Sequence, residues 1–219
     1  MLFAKPTTRM AGLCFWGDAW DLDRIHDFIH RICDESNPYL RDDDDYTLAL
    51  AYDIRKAKEG QRSKKELKYF EDKKTVYGVE VLWVHAAVQI GLLRKAMAFS
   101  SPMTARDQAT MYELEAAFED AVRAGFGPNA EGVINEARRV ADSNLPAKMS
   151  RLAISRGNYF ACLTSAKDRR ASLAGLLFSF GHSYDLIYKA QQRSGTSTGL
   201  VAPEELARFE NLEPVDFKW

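Results

Sequence analysis

Cysteine is scarce in this sequence: three residues in 219, Cys14, Cys33 and Cys162, an odd number with no CxxC pair. That pattern excludes a disulfide-stapled scaffold. It fits free thiols in a reducing compartment, so a cytoplasmic location is expected. Net charge is missing as well. Thirty basic residues stand against thirty-one acidic ones, so no overall field draws the chain to nucleic acid or to a membrane surface. Long apolar runs are absent too. Nothing approaches the roughly 18 residues needed to cross a bilayer, and MLFAKPTTRM has no leader-like apolar stretch. The short catalytic strings are also lacking: there is no GxSxG elbow and no Rossmann glycine fingerprint, and SGTSTG (194–199) has no lysine where a P-loop needs one.

What is present is the ordinary balance of a soluble globular protein, 46% hydrophobic and 28% charged. The length suits one domain over 1–219, with a sheet-containing part at about 1–84, a helical body at about 85–211 and an extended C-terminal tail. Short apolar runs at 1–5 and 12–16 read as strands. A helix follows from Ala19, capped by Asp18, with Leu22, Ile25, Ile29, Ile32 and Cys33 at helical spacing until Asn37-Pro38. Residues 45–58 alternate as a strand would, yet their alanines and lysines favour helix, which is the reading adopted, ending at Gly60. The charged stretch 61–74 reads as an exposed loop, and TVYGVEVLW (75–83) as the best strand.

Everything later reads as helix. Segments are expected at 85–99, at 104–124 with a Thr104/Asp107 cap, and at 129–143 and 147–163, the last with a possible break at Gly157. One long helix is expected at 166–192 and a short one from Pro203. Ala171, Gly175, Ser179 and Ser183 would form a small-residue stripe that lets another helix approach. The fold class is therefore α+β, predominantly α, with a small antiparallel sheet packed against a multi-helix body.

Candidate chemistry is sparse. His26 and His30 lie four apart on one helix, the spacing at which two imidazoles can share a metal, with Cys33 and Asp34 a turn further on. The glutamate of HExxH is absent, and both histidines flank an apolar stripe, so half-buried structural histidines are the preferred reading and no metal or other cofactor is expected. Trp16, Asp18 and Trp20 in WGDAWD could form a ligand platform; capping by Asp18 and packing of the indoles explain the same residues. The acidic run 42–45 lacks the glycine and glutamate of a calcium loop. Glu113, Glu115 and Glu119 lack the Glu-x-x-His partners of a di-iron bundle. His85 and His182 read as core residues rather than general bases.

Charge is segregated along the chain. Residues 18–45 hold ten acidic and three basic side chains, 55–74 nine basic and four acidic, and 138–170 eight basic and two acidic. Such blocks mark complementary faces in an assembly, a basic surface for nucleic acid using Lys64, Lys65 and Lys68 with nearby aromatics, or neighbours that cancel in the fold.

The strings WGDAWDLDRIHDFIH, LALAYDIRKAKEGQR and YGVEVLWVHAAVQIGLLRKAMAF together resemble a family of uncharacterised bacterial proteins. The resemblance covers about residues 1–120 and implies a bacterial, soluble, single-domain protein. That family has no assigned activity, so the resemblance carries over no catalytic or binding residue. The leading expectation is a non-enzymatic helical protein acting through protein–protein contacts, as a homo-oligomer or a subunit of a larger assembly. A nucleic-acid-binding accessory protein comes second, and a metal-dependent hydrolase centred on His26 and His30 third.

Overall fold

The computed structural model describes residues 1–35, 39–40, 44–69, 72–140, 142, 146–195, 199–210, 217 and 219. A first hairpin, β1 (Phe3–Pro6) and β2 (Gly12–Gly17), leads into α1 (Ala19–Glu35) and α2 (Asp44–Lys58). A second hairpin, β3 (Ser63–Tyr69) and β4 (Asp72–Leu82), runs directly into α3 (Trp83–Ala96). The helical body continues with α4 (Ala105–Phe126), α5 (Ala130–Val140), α6 (Pro146–Cys162), α7 (Ala166–Phe178), α8 (Tyr184–Ser194) and α9 (Pro203–Ala207). All strand pairs are antiparallel, in the order β1-β2-β4-β3. The fold is α+β and predominantly α.

Alternation across the pleat gives the sheet two different faces. Leu13 pairs with Val81 and Phe15 with Val79, and all four are buried. This is the face on which α1, α3 and α4 pack. On the opposite face Trp16 pairs with Phe3 and with Gly78. A Cβ at position 78 would lie 2.9 Å from the Trp16 ring, so the glycine makes room for the indole. The Lys65 ammonium covers that indole from 3.7 Å, a cation–π contact that uses the lysine's apolar stem as well as its charge.

α3 is the centre of the helical body. It has no charge before Arg94, buries ten of its fourteen residues, and contacts α1, α2, α4, α5, α6 and α7. Trp83, fully buried at its start, meets Phe118 and Phe126 of α4 edge to face. Thr104 and Asp107 form a reciprocal capping box at the start of α4, as their spacing predicts.

The boundaries differ from expectation in three places. Residues 61–74 are not a loop: β3 occupies Ser63–Tyr69, and its charged side chains suit a sheet edge that must not pair with another chain. The single long helix expected at 166–192 is two. α7 stops at Phe178, and turn bonds from Phe180 to Leu177 and from Gly181 to Phe178 turn the chain before α8. Gly125 does not end α4, which runs on to Phe126. Instead it admits the buried Met10 side chain, which a Cβ there would meet at 2.7 Å. Most of the expected C-terminal tail lies outside the described residues.

Gly12 and Gly132 give opposite expectations. A Cβ at position 12 would stand 1.9 Å from the Val81 carbonyl oxygen, which belongs to the neighbouring strand and cannot swing away. Gly132 faces open space within α5. Gly12→Ala should therefore cost about 3 kcal/mol of unfolding free energy. Gly132→Ala should add up to about 1 kcal/mol by removing backbone freedom from the unfolded chain. Urea titrations that moved both variants in the same direction would contradict the β2–β4 register.

Candidate functional site

A cleft of about 360 Å³ opens between α2, α3 and α6. Three polar side chains from two distant parts of the chain meet in it. His85 and Gln89 are one turn apart on α3 and so share its α2-facing side, and α2 contributes Tyr46. The Tyr46 hydroxyl lies 2.8 Å from His85 Nδ1. Gln89 Nε2 donates to the Tyr46 carbonyl at 3.0 Å. Gln89 is only 5% exposed, and its Oε1 has no hydrogen-bond partner among the described residues. A buried amide oxygen left in that state costs free energy on the order of 1–3 kcal/mol, which a donor entering the cleft would recover.

The back of the cleft depends on one glycine. A Cβ at position 157 would lie 2.6 Å from His85 Nε2, so the imidazole rests directly on the α6 backbone. Gly157, a possible helix break in the sequence, leaves α6 continuous and serves as a seat for the ring. Burial holds His85 down at about 4, far below the usual 6.5, so the ring is neutral at physiological pH and is a weak base. Leu50, Val81 and Ile154 supply apolar walls. Phe217 and Trp219 line the mouth, their rings edge to face at 4.8 Å. Asp53 and Glu80 also line the cleft, and Asp53 is engaged by Arg62 at 2.6 Å. The deep part is thus neutral, hydrogen-bonding and largely apolar. It suits a flat group carrying an N–H or O–H donor.

The residues singled out in the sequence lie elsewhere. His26 and His30 are adjacent, their ring centroids 4.5 Å apart, and His26 Nδ1 lies 3.2 Å from Asp27. No third donor joins them: among the described residues no group of three or more His, Cys, Asp or Glu side chains could hold a metal ion. Cys33 is buried, whereas Asp34 is exposed. Trp16 and Trp20 do not form one platform. Trp16 lies on the open face of the sheet, while Trp20 stands 85% exposed on α1. Asp18 caps α1, accepting the Asp21 amide at 2.8 Å, and pairs with Lys74. Burial works to raise this carboxyl, but the Lys74 and Asp21 bonds outweigh it and hold it at about 2.

Lys64, Lys65 and Lys68 are on a strand, so they do not share a surface. Lys65 stacks on Trp16, and alternation sends Lys64 and Lys68 to the other face. The acidic and first basic blocks meet inside the fold, through Lys58–Asp23 and Lys74–Asp18. Of the aromatics near the basic stretches, Phe160 is fully buried, Tyr159 packs edge to face on Phe209, and Phe70 lies outside the described residues. Glu113, Glu115 and Glu119 are all in ion pairs, with Arg24, Arg94 and Arg138 respectively. His182 is exposed rather than part of the core. Gly175 of the small-residue stripe faces Gly199 and Leu200 at ordinary contact distance, not another helix.

The fold defines a helix-rich α+β protein. A family model described as "Domain of unknown function (DUF6904)" matches residues 2–211, and the chain belongs to that family. No match was found among curated proteins or among solved structures.

His85 makes the cleft sensitive to pH. In the unfolded chain the imidazole takes a proton near 6.5, whereas in the folded chain it resists until about 4. Acid therefore favours the unfolded state over this window. Its contribution is whole above about pH 6.5 and is lost as pH falls toward 4, by about 2 kcal/mol between pH 7.5 and pH 5. Asp18 acts in a lower window, between its ordinary 3.8 and about 2. Unfolding free energies of wild type and His85→Asn should converge as pH falls from 7.5 to 5. Parallel curves would show that the ring is not held neutral by burial.

Proposed function

We propose that the chain works by binding, as a helical protein acting through contacts with other proteins, and that the Tyr46–His85–Gln89 cleft receives an aromatic side chain of a polypeptide. The observation that carries this reading is the mouth of the cleft, which the chain's own Phe217 and Trp219 line. Polypeptide aromatics therefore fit there. The unpartnered Gln89 oxygen favours a group that brings a donor, as an indole N–H or a backbone N–H does. A neutral, half-buried imidazole and an apolar wall favour uncharged aromatic surface over phosphate or sugar. Self-association follows if the segment comes from a second copy, and a mixed assembly follows if it comes from another protein.

The nucleic-acid alternative loses support from the ion pairs that join the acidic and basic blocks and from the split of Lys64 and Lys68 away from Lys65. Hydrolysis at His26 and His30 loses support from the missing third ligand among the described residues.

The test uses the chain ended at residue 210 and a fluorescent peptide with the sequence of residues 211–219. Fluorescence anisotropy should show saturable binding, with Kd on the order of micromolar. Replacing both aromatic residues of the peptide by alanine should abolish it. Gln89→Leu, which keeps the volume and removes the buried amide, should weaken it about tenfold. A shortened chain that keeps its helical circular dichroism and melting temperature yet binds no peptide would refute the proposal.

A further inference from the structure

The interior contains two arginines with no carboxylate within salt-bridge distance among the described residues, and their surroundings differ. Arg169 sits where backbone carbonyls converge: Nη1 donates to Arg9 O at 2.9 Å and Nη2 to Ala161 O at 3.2 Å, near the negative end of α6. That guanidinium has a structural task, tying the β1–β2 turn to α6. Arg156 is also buried, at 7% exposure, but its partners are only hydroxyls: Nε donates to Ser179 Oγ at 3.1 Å and Nη1 to Ser155 Oγ at 3.3 Å. Nη2 makes no hydrogen bond to any described residue. The guanidinium carbon lies 5.8 Å from the centre of the Phe180 ring, a further weak contact. Two serines and a ring do not balance a buried cation. A desolvated charge with no carboxylate in contact is costly enough that proteins seldom keep one idle.

Arg156 lines a cleft of about 400 Å³ between α6 and the chain that turns from α7 into α8. The first turn of α8 lines it as well, and Ser183, at the cap position, makes no side-chain capping bond, so part of the positive helix end is left for a guest. Charges nearer the solvent have both signs. Asp185, Glu204 and Glu210 are exposed carboxylates around the opening, with Lys148 and His182 beside them. Glu210 and Asp185 act on Arg156 through space, but neither reaches it within 4.0 Å. The cleft is positive at its floor and predominantly acidic at its rim.

We propose that this cleft is a binding site for a free amino acid, whose carboxylate pairs with Arg156 at the floor and whose ammonium meets the carboxylates of the rim. Arginine offers a carboxylate two parallel donors, and the open Nη2 is one of them. A doubly charged phosphate would gain the same floor contact but would face three carboxylates at the opening. A simple monocarboxylate would use the floor and leave the rim unsatisfied. This site is separate from the Tyr46–His85–Gln89 cleft, and neither reading depends on the other.

Isothermal titration of the full-length chain with each of the twenty L-amino acids, and with acetate and inorganic phosphate as reference anions, tests the assignment. At least one amino acid should bind with Kd of about 1 mM or tighter, and acetate and phosphate should bind at least about tenfold more weakly. Arg156→Lys keeps the charge and loses the fork, and should weaken the amino acid about tenfold. Because a buried arginine can matter for folding, a second variant is informative by itself. Asp185→Asn with Glu204→Gln and Glu210→Gln changes only exposed residues. It should weaken the amino acid about tenfold and leave acetate unchanged or tighter. The proposal is overturned if no amino acid binds wild type, if phosphate or acetate binds more tightly than every amino acid, or if the rim variant binds the amino acid as wild type does.

Discussion

The structure depends on the burial of α3. Trp83–Ala96 carries no charge until its last turn, and its buried residues lie on nearly every side rather than along one stripe. A helix of that kind is stable in water only when other elements surround it. Six helices do so, and β4 leads into it without a loop. Each large buried apolar side chain contributes roughly 1.5–3 kcal/mol relative to exposure, so Trp83, Val84, Val88, Ile90, Leu92 and Leu93 together outweigh any single ion pair at the surface. The amphipathic helices α1 and α5 orient their apolar sides by the need to cover the same core.

A core this apolar makes its polar members conspicuous. Thr110 and Ser100 return their hydroxyl protons to helix carbonyls, and both Nη groups of Arg169 are held by carbonyls, its Nε having no partner among the described residues. Those groups stabilise connections. Gln89 and Arg156 are different because each lines a cleft, Gln89 with a buried oxygen that has no partner among the described residues and Arg156 with only two hydroxyls as hydrogen-bond partners. The two clefts lie on either side of α6, which gives Asn158 and Ile154 to one and Leu152 and Arg156 to the other. Alternate residues of one helix thus supply two chemically different sites, one with a neutral floor and one with a charged floor.

The fold was largely legible in the sequence because helical periodicity and turn chemistry are local. The Thr104/Asp107 box, the Asp18 cap and the Pro203 helix start follow from residues three apart or fewer. β3 was not legible, since SKKELKY has the composition of a solvated loop and becomes a strand only by pairing with β4. The break after Phe178 was hidden because SFGHS has no proline and contains only a single glycine. Neither cleft was legible as a site. Tyr46 and His85 are 39 residues apart, and no spacing rule links them. One local signal did exist for Arg156. LAISRGNYFACL places a lone cation in an otherwise apolar helical run, and a charge in that position must be buried, paired or functional. His182, read as a core residue, belongs to the rim of the Arg156 cleft because the helix it was assigned to ends four residues earlier.

The central claim is that α3 is the element on which the others are built, and native-state hydrogen exchange measures it most directly. Amides of Leu92, Leu93 and Ala96, all fully buried, should exchange only through global unfolding, with opening free energies equal to that from urea denaturation. Amides of α8, which buries only Tyr184, should open at much lower cost. Exchange from α3 as fast as from α8, under conditions where the chain remains folded, would contradict the account.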